Sequence, residues 1–107
     1  MSGRIVGEVL DNAPADLTPL ELNVLIALAE AARDNTRIAT HKTTREALAY
    51  RCRTTPATIK NVLRTLRDRG LITPTNGVAH RGKATHYEIT RLTTDHRDAT
   101  WKRGIAE

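Results

Sequence analysis

Between Thr18 and Pro56 the chain carries three separate helix start signals, and they constrain its fold more than any other feature of the sequence. Thr18-Pro19-Leu20-Glu21 offers a capping hydroxyl, a proline suited to the first helical position, and an acid placed to reach back to the cap. Thr43-x-x-Glu46 has the same box spacing and predicts a two-turn helix over 44–51, with Ala47, Leu48 and Tyr50 available for a core. Thr55-Pro56 opens a third helix, in which Ile59, Val62, Leu63 and Leu66 keep helical spacing until Gly70 stops it. In the first of these helices Leu22, Val24, Leu25, Ile26, Leu28, Ala29 and Ala32 cover most of the surface, so it should be buried on more than one side.

Beyond Gly70 the period changes. Leu71 to Thr73 reads as a strand, Asn76-Gly77 and Arg81-Gly82 are turn dipeptides, and Tyr87 and Ile89 alternate with polar neighbours in a return strand. Arg37 to Thr40 is expected to add a brief edge strand. Ile5, Val6, Val9 and Leu10 fall on one helical face, predicting a short amphipathic helix over 4–12, with a turn at Asn12, Pro14 and Asp16. Trp101 and Ile105 have i, i+4 spacing; the tail either packs as a short helix or frays. The expected fold class is mainly α with a small β-hairpin, divided into an N-terminal arm over 1–17, a main domain over 18–91 and a tail over 92–107. A chain of 107 residues suffices for one modest core.

The net charge of +5 is unevenly placed. Residues 1–41 hold three basic and six acidic side chains, whereas 42–69 hold eight basic (Lys42, Arg45, Arg51, Arg53, Lys60, Arg64, Arg67, Arg69) against Glu46 and Asp68. The excess therefore lies on the second and third capped helices. Clustered charge of this kind attracts a polyanion, although a basic face can also serve solubility alone.

From Leu48-Ala49, through Thr55-Pro56-Ala57-Thr58-Ile59, to Leu63-x-x-Leu66-x-x-x-Gly70-Leu71-Ile72, the chain resembles the winged helix-turn-helix domains of bacterial regulators such as the MarR and GntR families. The likeness covers about half the chain and lies in pattern; more loosely, the chain is similar to small winged-helix proteins of actinobacterial plasmids and phages. Where the turn between the helices often has glycine followed by an aliphatic residue, Arg53-Thr54 stands instead. The resemblance implies that the third capped helix enters the major groove of double-stranded DNA. At about 100° per residue, Ala57, Asn61, Arg64 and Asp68 lie opposite its apolar side, flanked by Thr58, Lys60 and Thr65. Lys60 and Arg64 suit guanine, Asn61 suits adenine, and Ala57 and Thr58 suit the thymine methyl group. Thr44, Arg45 and Thr55, at helix starts, suit phosphate. In the expected wing tip, His80, Arg81 and Lys83 around Gly82 suit a phosphate strand or the minor groove. Asp68 falls in the last turn, beyond the part of such a helix that meets DNA. Each of these residues also has a plainer reading as a solvated surface group.

Other functions find less support. The chain has no phosphate-cradling glycine loop, nucleophile elbow or carboxylate cluster on one helical face, so no enzyme is expected. His41, His80, His86 and His96 lack metal spacing, and neither metal nor cofactor is expected. Aromatic content of 3% argues against stacking on single strands. Cys52 reads as a small apolar filler before it reads as a thiolate switch between two arginines. No segment reaches the roughly 20 apolar residues of a membrane span, and the opening residues lack a signal-peptide run, so the expected compartment is the cytoplasm.

The expectation is therefore sequence-specific duplex binding by a transcriptional regulator. A plasmid or phage replication, partition or maintenance factor is the alternative within DNA binding, and a protein-interaction adaptor the alternative outside it. A homodimer is expected through Ile5, Val6, Val9 and Leu10 together with Trp101 and Ile105, because one module reads few base pairs.

Overall fold

The computed structural model describes residues 3–75 and 85–97. Its elements run α1 (Gly3–Asn12), α2 (Pro19–Ala31), β1 (Ile38–Ala39), α3 (Arg45–Cys52), α4 (Pro56–Asp68), β2 (Ile72–Pro74) and β3 (Tyr87–Ile89), followed by a helical turn over 94–97. Four helices thus pack with a three-stranded antiparallel sheet in the order β1-β3-β2. Among the described residues no helix is long and apolar enough to cross a membrane.

The capping chemistry at Thr18 forms in full. Its hydroxyl accepts from the Glu21 N–H at 3.1 Å, while the Glu21 carboxylate accepts from the Thr18 N–H at 2.9 Å. The helix that follows is the hub. Val24, Leu25, Ala27, Leu28, Ala29 and Ala31 are buried, and α2 touches α1, α3, α4, β1 and β3. Apolar character around most of its circumference, legible in the sequence, is what a helix packed on several sides requires. Leu22 and Ile26 are only half-buried.

At α3 the expected capping box does not form. Thr44, not Thr43, is the N-cap, its hydroxyl accepting the Ala47 N–H at 3.1 Å. Lys42 has a positive φ of 57°, and Thr43 after it is turned inward, 3% exposed, where its buried hydroxyl has no hydrogen-bond partner and does not cap. Tyr50 also departs from expectation. Leu48 and Ala49 face the core, whereas Tyr50 is 78% exposed, because about 200° of helical rotation separates it from Leu48.

The start of α4 follows the sequence: Thr55 caps through the Thr58 N–H at 3.2 Å, and Pro56 takes the first position. Ile59, Val62, Leu63 and Leu66 are buried. Gly70 ends the helix with φ of 76°, a conformation that costs glycine nothing. Its N–H bonds the Arg67 carbonyl, and the Leu71 N–H reaches back to Leu66 O, closing a Schellman motif over two buried leucines. The chain enters β2 directly from this stop.

In the sheet, Ile72 pairs with Ile89 and Ile38 with Glu88, so β3 is bordered on both sides. One apolar cluster serves the whole fold. It includes Ile5, Val9 and Ala13 from the N-terminal segment and Leu92 beyond β3, together with the residues of α2, α3, α4 and the sheet. The helix expected near the N-terminus is present, but only Ile5 and Val9 of its four apolar residues are fully buried; Leu10 is 58% exposed.

Candidate nucleic-acid interface

The third capped helix of the sequence, α4, turns its polar side outward. Ala57, Lys60, Asn61 and Arg64 are exposed, and Thr58 and Thr65 lie at the margin, half-buried. The partition follows from the four apolar residues that hold the opposite face on the core, because one helical turn fixes the rest. Asp68 is exposed in the last turn, 4.0 Å from Arg67.

The basic excess divides in a way that counting alone does not reveal. Arg51 is paired with Glu30 at 2.9 Å, Arg69 with Asp16 at 2.6 Å, and Arg67 faces Asp68. Arg53 donates to the Tyr50 carbonyl at 2.8 Å and sits 5.5 Å from the Tyr50 ring centroid. Among the described residues, the side chains of Arg45, Lys60, Asn61 and Arg64 make no hydrogen bond or ion pair. Two free cations and a free carboxamide thus share the exposed side of one helix. Their donors and acceptors have only water to satisfy them.

The flanking helix starts are built differently from the open face. Thr44 and Thr55 are exposed, yet both hydroxyls are engaged in capping, and the Thr55 and Thr58 hydroxyls also lie 2.9 Å apart. What Thr58 offers outward is therefore mainly its methyl group, the part suggested for thymine. Thr44 and Thr55 leave their neighbours' free N–H groups, rather than their own hydroxyls, as anion donors. Arg45 sits exposed in the first turn of α3. His80, Arg81 and Lys83 lie outside the described residues.

One feature of this region was not anticipated. Arg53, in the turn between α3 and α4, has φ of 59° and ψ of 48°, the left-handed conformation in which glycine is usual. Here an arginine adopts it, with its guanidinium held over the exposed Tyr50 ring. An arginine at the glycine position, three residues after a tyrosine at a helix end, was the available signal.

Cys52 is half-buried in an open groove of about 360 Å³ shared with Val6, Asn23, Ile26, Ala27, Glu30 and Arg51. Burial pushes its thiol above the ordinary value, against the opposing pull of Arg51. That is the reverse of an activated thiolate and agrees with a filler role. The dimer surface drawn from the sequence is also altered, since Ile5 and Val9 are 0% exposed beneath their own core and only Val6 and Leu10 of that set remain accessible. Trp101 and Ile105 lie outside the described residues.

No protein-family model, curated protein or solved structure matches this chain. Function must therefore be argued from its own residues.

Proposed function

We propose that the chain is a winged helix-turn-helix protein that binds double-stranded DNA sequence-specifically, without catalysis, and acts as a transcriptional regulator. In this reading α3 and α4 form the helix-turn-helix, β2 and β3 form the legs of the wing, and β1 completes its sheet. The observation that carries the proposal is the set of unpaired Lys60, Asn61 and Arg64 on the exposed side of α4, while Arg51 and Arg69 are tied to acids and Arg53 to Tyr50. Lysine and arginine match guanine O6 and N7, and asparagine matches adenine N6 and N7, in the major groove. The left-handed turn at Arg53 and the capped start at Thr55 support the same reading, because they bring a helix N-terminus forward with free N–H groups suited to a phosphate.

Arg45 and the N-terminal ends of α3 and α4 would set register on the backbone, leaving Asn61 and Arg64 to read bases. Arg81 and Lys83, between the wing legs in sequence, would add phosphate contacts. The test is selection of bound duplexes from a pool of genomic fragments, followed by titration on the winning sequence at several salt concentrations. Recovery of a shared sequence near promoters supports a regulator. Enrichment of replication origins would move the assignment to a replication or maintenance factor, and failure to retain any duplex at low salt would overturn DNA binding.

A further inference from the structure

Arg37 is the most buried charged residue among those described, and the proposed DNA face leaves it unexplained. It has a positive φ of 62° just before β1 and is 8% exposed. Its Nε donates to the Ile89 carbonyl at 2.9 Å, and Nη2 donates to the Thr90 carbonyl at 3.2 Å. The same guanidinium forks onto both carboxylate oxygens of Glu8 in α1. Glu8 Oε2 also accepts the Leu92 N–H at 2.8 Å, and the Arg37 carbonyl accepts the Ile89 N–H at 2.8 Å. One ion pair thereby joins α1, the chain before β1, the end of β3 and the segment leaving it.

The link continues to α4. Thr90, whose carbonyl is held by Arg37, donates its N–H to Leu71 O at 3.1 Å and its hydroxyl to Gly70 O. Gly70 and Leu71 are the Schellman stop of α4. From Glu8 the connection therefore runs through Arg37 and Thr90 to the end of that helix, in three residues with a defined donor and acceptor at each step. Simple adhesion would not need this arrangement. Ile5 and Val9 already fasten α1 to the core, and apolar replacements for a buried ion pair usually hold a fold at least as well. What a forked pair adds is direction, since each N–H has one place to go.

We propose that Glu8 is a positioning residue for DNA binding: acting through Arg37 and Thr90, it fixes β3, and with it the β2–β3 legs, relative to α4. This rests on the DNA-binding reading above. Under it, the N-terminal helix touches no DNA but sets the angle between the element that reads bases and the strands that carry the wing. Burial alone would push the Glu8 carboxyl up, but the hydrogen bonds from Arg37 and the Leu92 N–H, with the charges of Arg37 and Arg91, hold it below the ordinary range, so the charged form is the one in place.

The experiment uses the full chain with Glu8→Gln, and with Glu8→Met/Arg37→Met as a second variant that leaves no buried charge unpaired. Both should remain folded, with protection of Leu63 and Leu66 amides retained, while amide hydrogen exchange at Ile89, Thr90 and Leu92 accelerates at least tenfold. On the preferred duplex, the slope of log affinity against log salt should fall by about 1 to 2 as wing contacts with phosphate are lost, with the order of preference among sequences kept. A merely stabilising pair would give a different result, since the folded fraction would bind with the wild-type slope. Wild-type exchange and slope in the folded double variant would overturn the proposal. If the wild-type chain bound no duplex, the DNA reading would fail, and exchange alone would decide whether Glu8 positions β3.

Discussion

Gly7 lies within α1, and a Cβ built there would meet nothing within 4 Å. Glycine in a helix interior is less favourable than alanine by about 0.8–1.0 kcal/mol, partly because its unfolded chain has more conformations to lose. Gly7→Ala should therefore stabilise the protein by about 1 kcal/mol, with no steric cost to subtract. For a domain of this size that corresponds to a rise of about 4–8 °C in Tm. Gly3 provides the control: it has equally open space, but at the first residue of α1, where helical order contributes least, so Gly3→Ala should gain much less. The assay is thermal unfolding followed by circular dichroism at two protein concentrations at least tenfold apart, with sedimentation to compare the mass with 11.9 kDa. A fall in Tm for Gly7→Ala would refute the reasoning, for it would mean that the outer side of α1, where Leu10 is also exposed, is covered in solution. Concentration dependence of that fall would identify a second copy as the cover.

Three further outcomes are expected. Asn61→Ala or Arg64→Ala should cost about 1–3 kcal/mol on the preferred duplex and flatten discrimination, while Arg81→Ala and Lys83→Ala weaken all duplexes alike and reduce the salt slope by about 1 each; loss of sequence preference in the wing variants alone would move readout to the wing. Glu8→Gln should lose about 2–3 kcal/mol at neutral pH. Because the folded-state pKa of Glu8 is lowered, its contribution is present above the ordinary carboxylate value and lost as pH falls through the lower folded value, so urea titrations of wild type and variant should converge in acid. Leu66→Ala, at a position with 0% exposure, should cost about 2–5 kcal/mol by leaving a cavity, read as a lower urea midpoint with an unchanged m-value.

Elements whose signals are local were legible in the sequence. Thr18 with Glu21, Thr55 with Pro56, and Gly70 act within a few residues, and each fixed a helix boundary. The strands at 72–74 and 87–89 followed from an apolar run and an alternation separated by turn residues, and that at 38–39 falls within the edge strand expected over 37–40. Where a backbone reversal decided the outcome, the sequence misled: Lys42 in a left-handed conformation moved the α3 cap from Thr43 to Thr44. Two turns of helix were too few to fix the facing of Tyr50. The open side of α4 was readable from its apolar stripe, but the fate of the charges around it was not. Arg69 meets Asp16, 53 residues away in sequence, and Arg37 meets Glu8, 29 away, so neither pairing leaves a trace in local pattern. The same limit explains the expected dimer face, since a helix alone does not say whether its apolar side meets its own core or another chain.

The strand order β1-β3-β2 also sets a timetable for the chain. The middle strand is the last of the three in sequence, so until residues 87–89 arrive β2 has no strand partner and β1 has only its bridge from Ala39 to Ala32. The three capped helices, by contrast, lie between Thr18 and Gly70, and α3 and α4 can pack on α2 as soon as they are made. Closing the sheet spans about 50 residues from β1, a long loop whose entropy must be met before its hydrogen bonds form. A nascent chain halted before Tyr87 would therefore hold a helical nucleus with β1 and β2 not yet joined in a sheet, and insertion of β3 between them would complete it. Glu8 waits even longer for the Leu92 N–H, so the polar link from α1 to the sheet closes after the apolar contacts of Ile5 and Val9 can already hold that helix on the core.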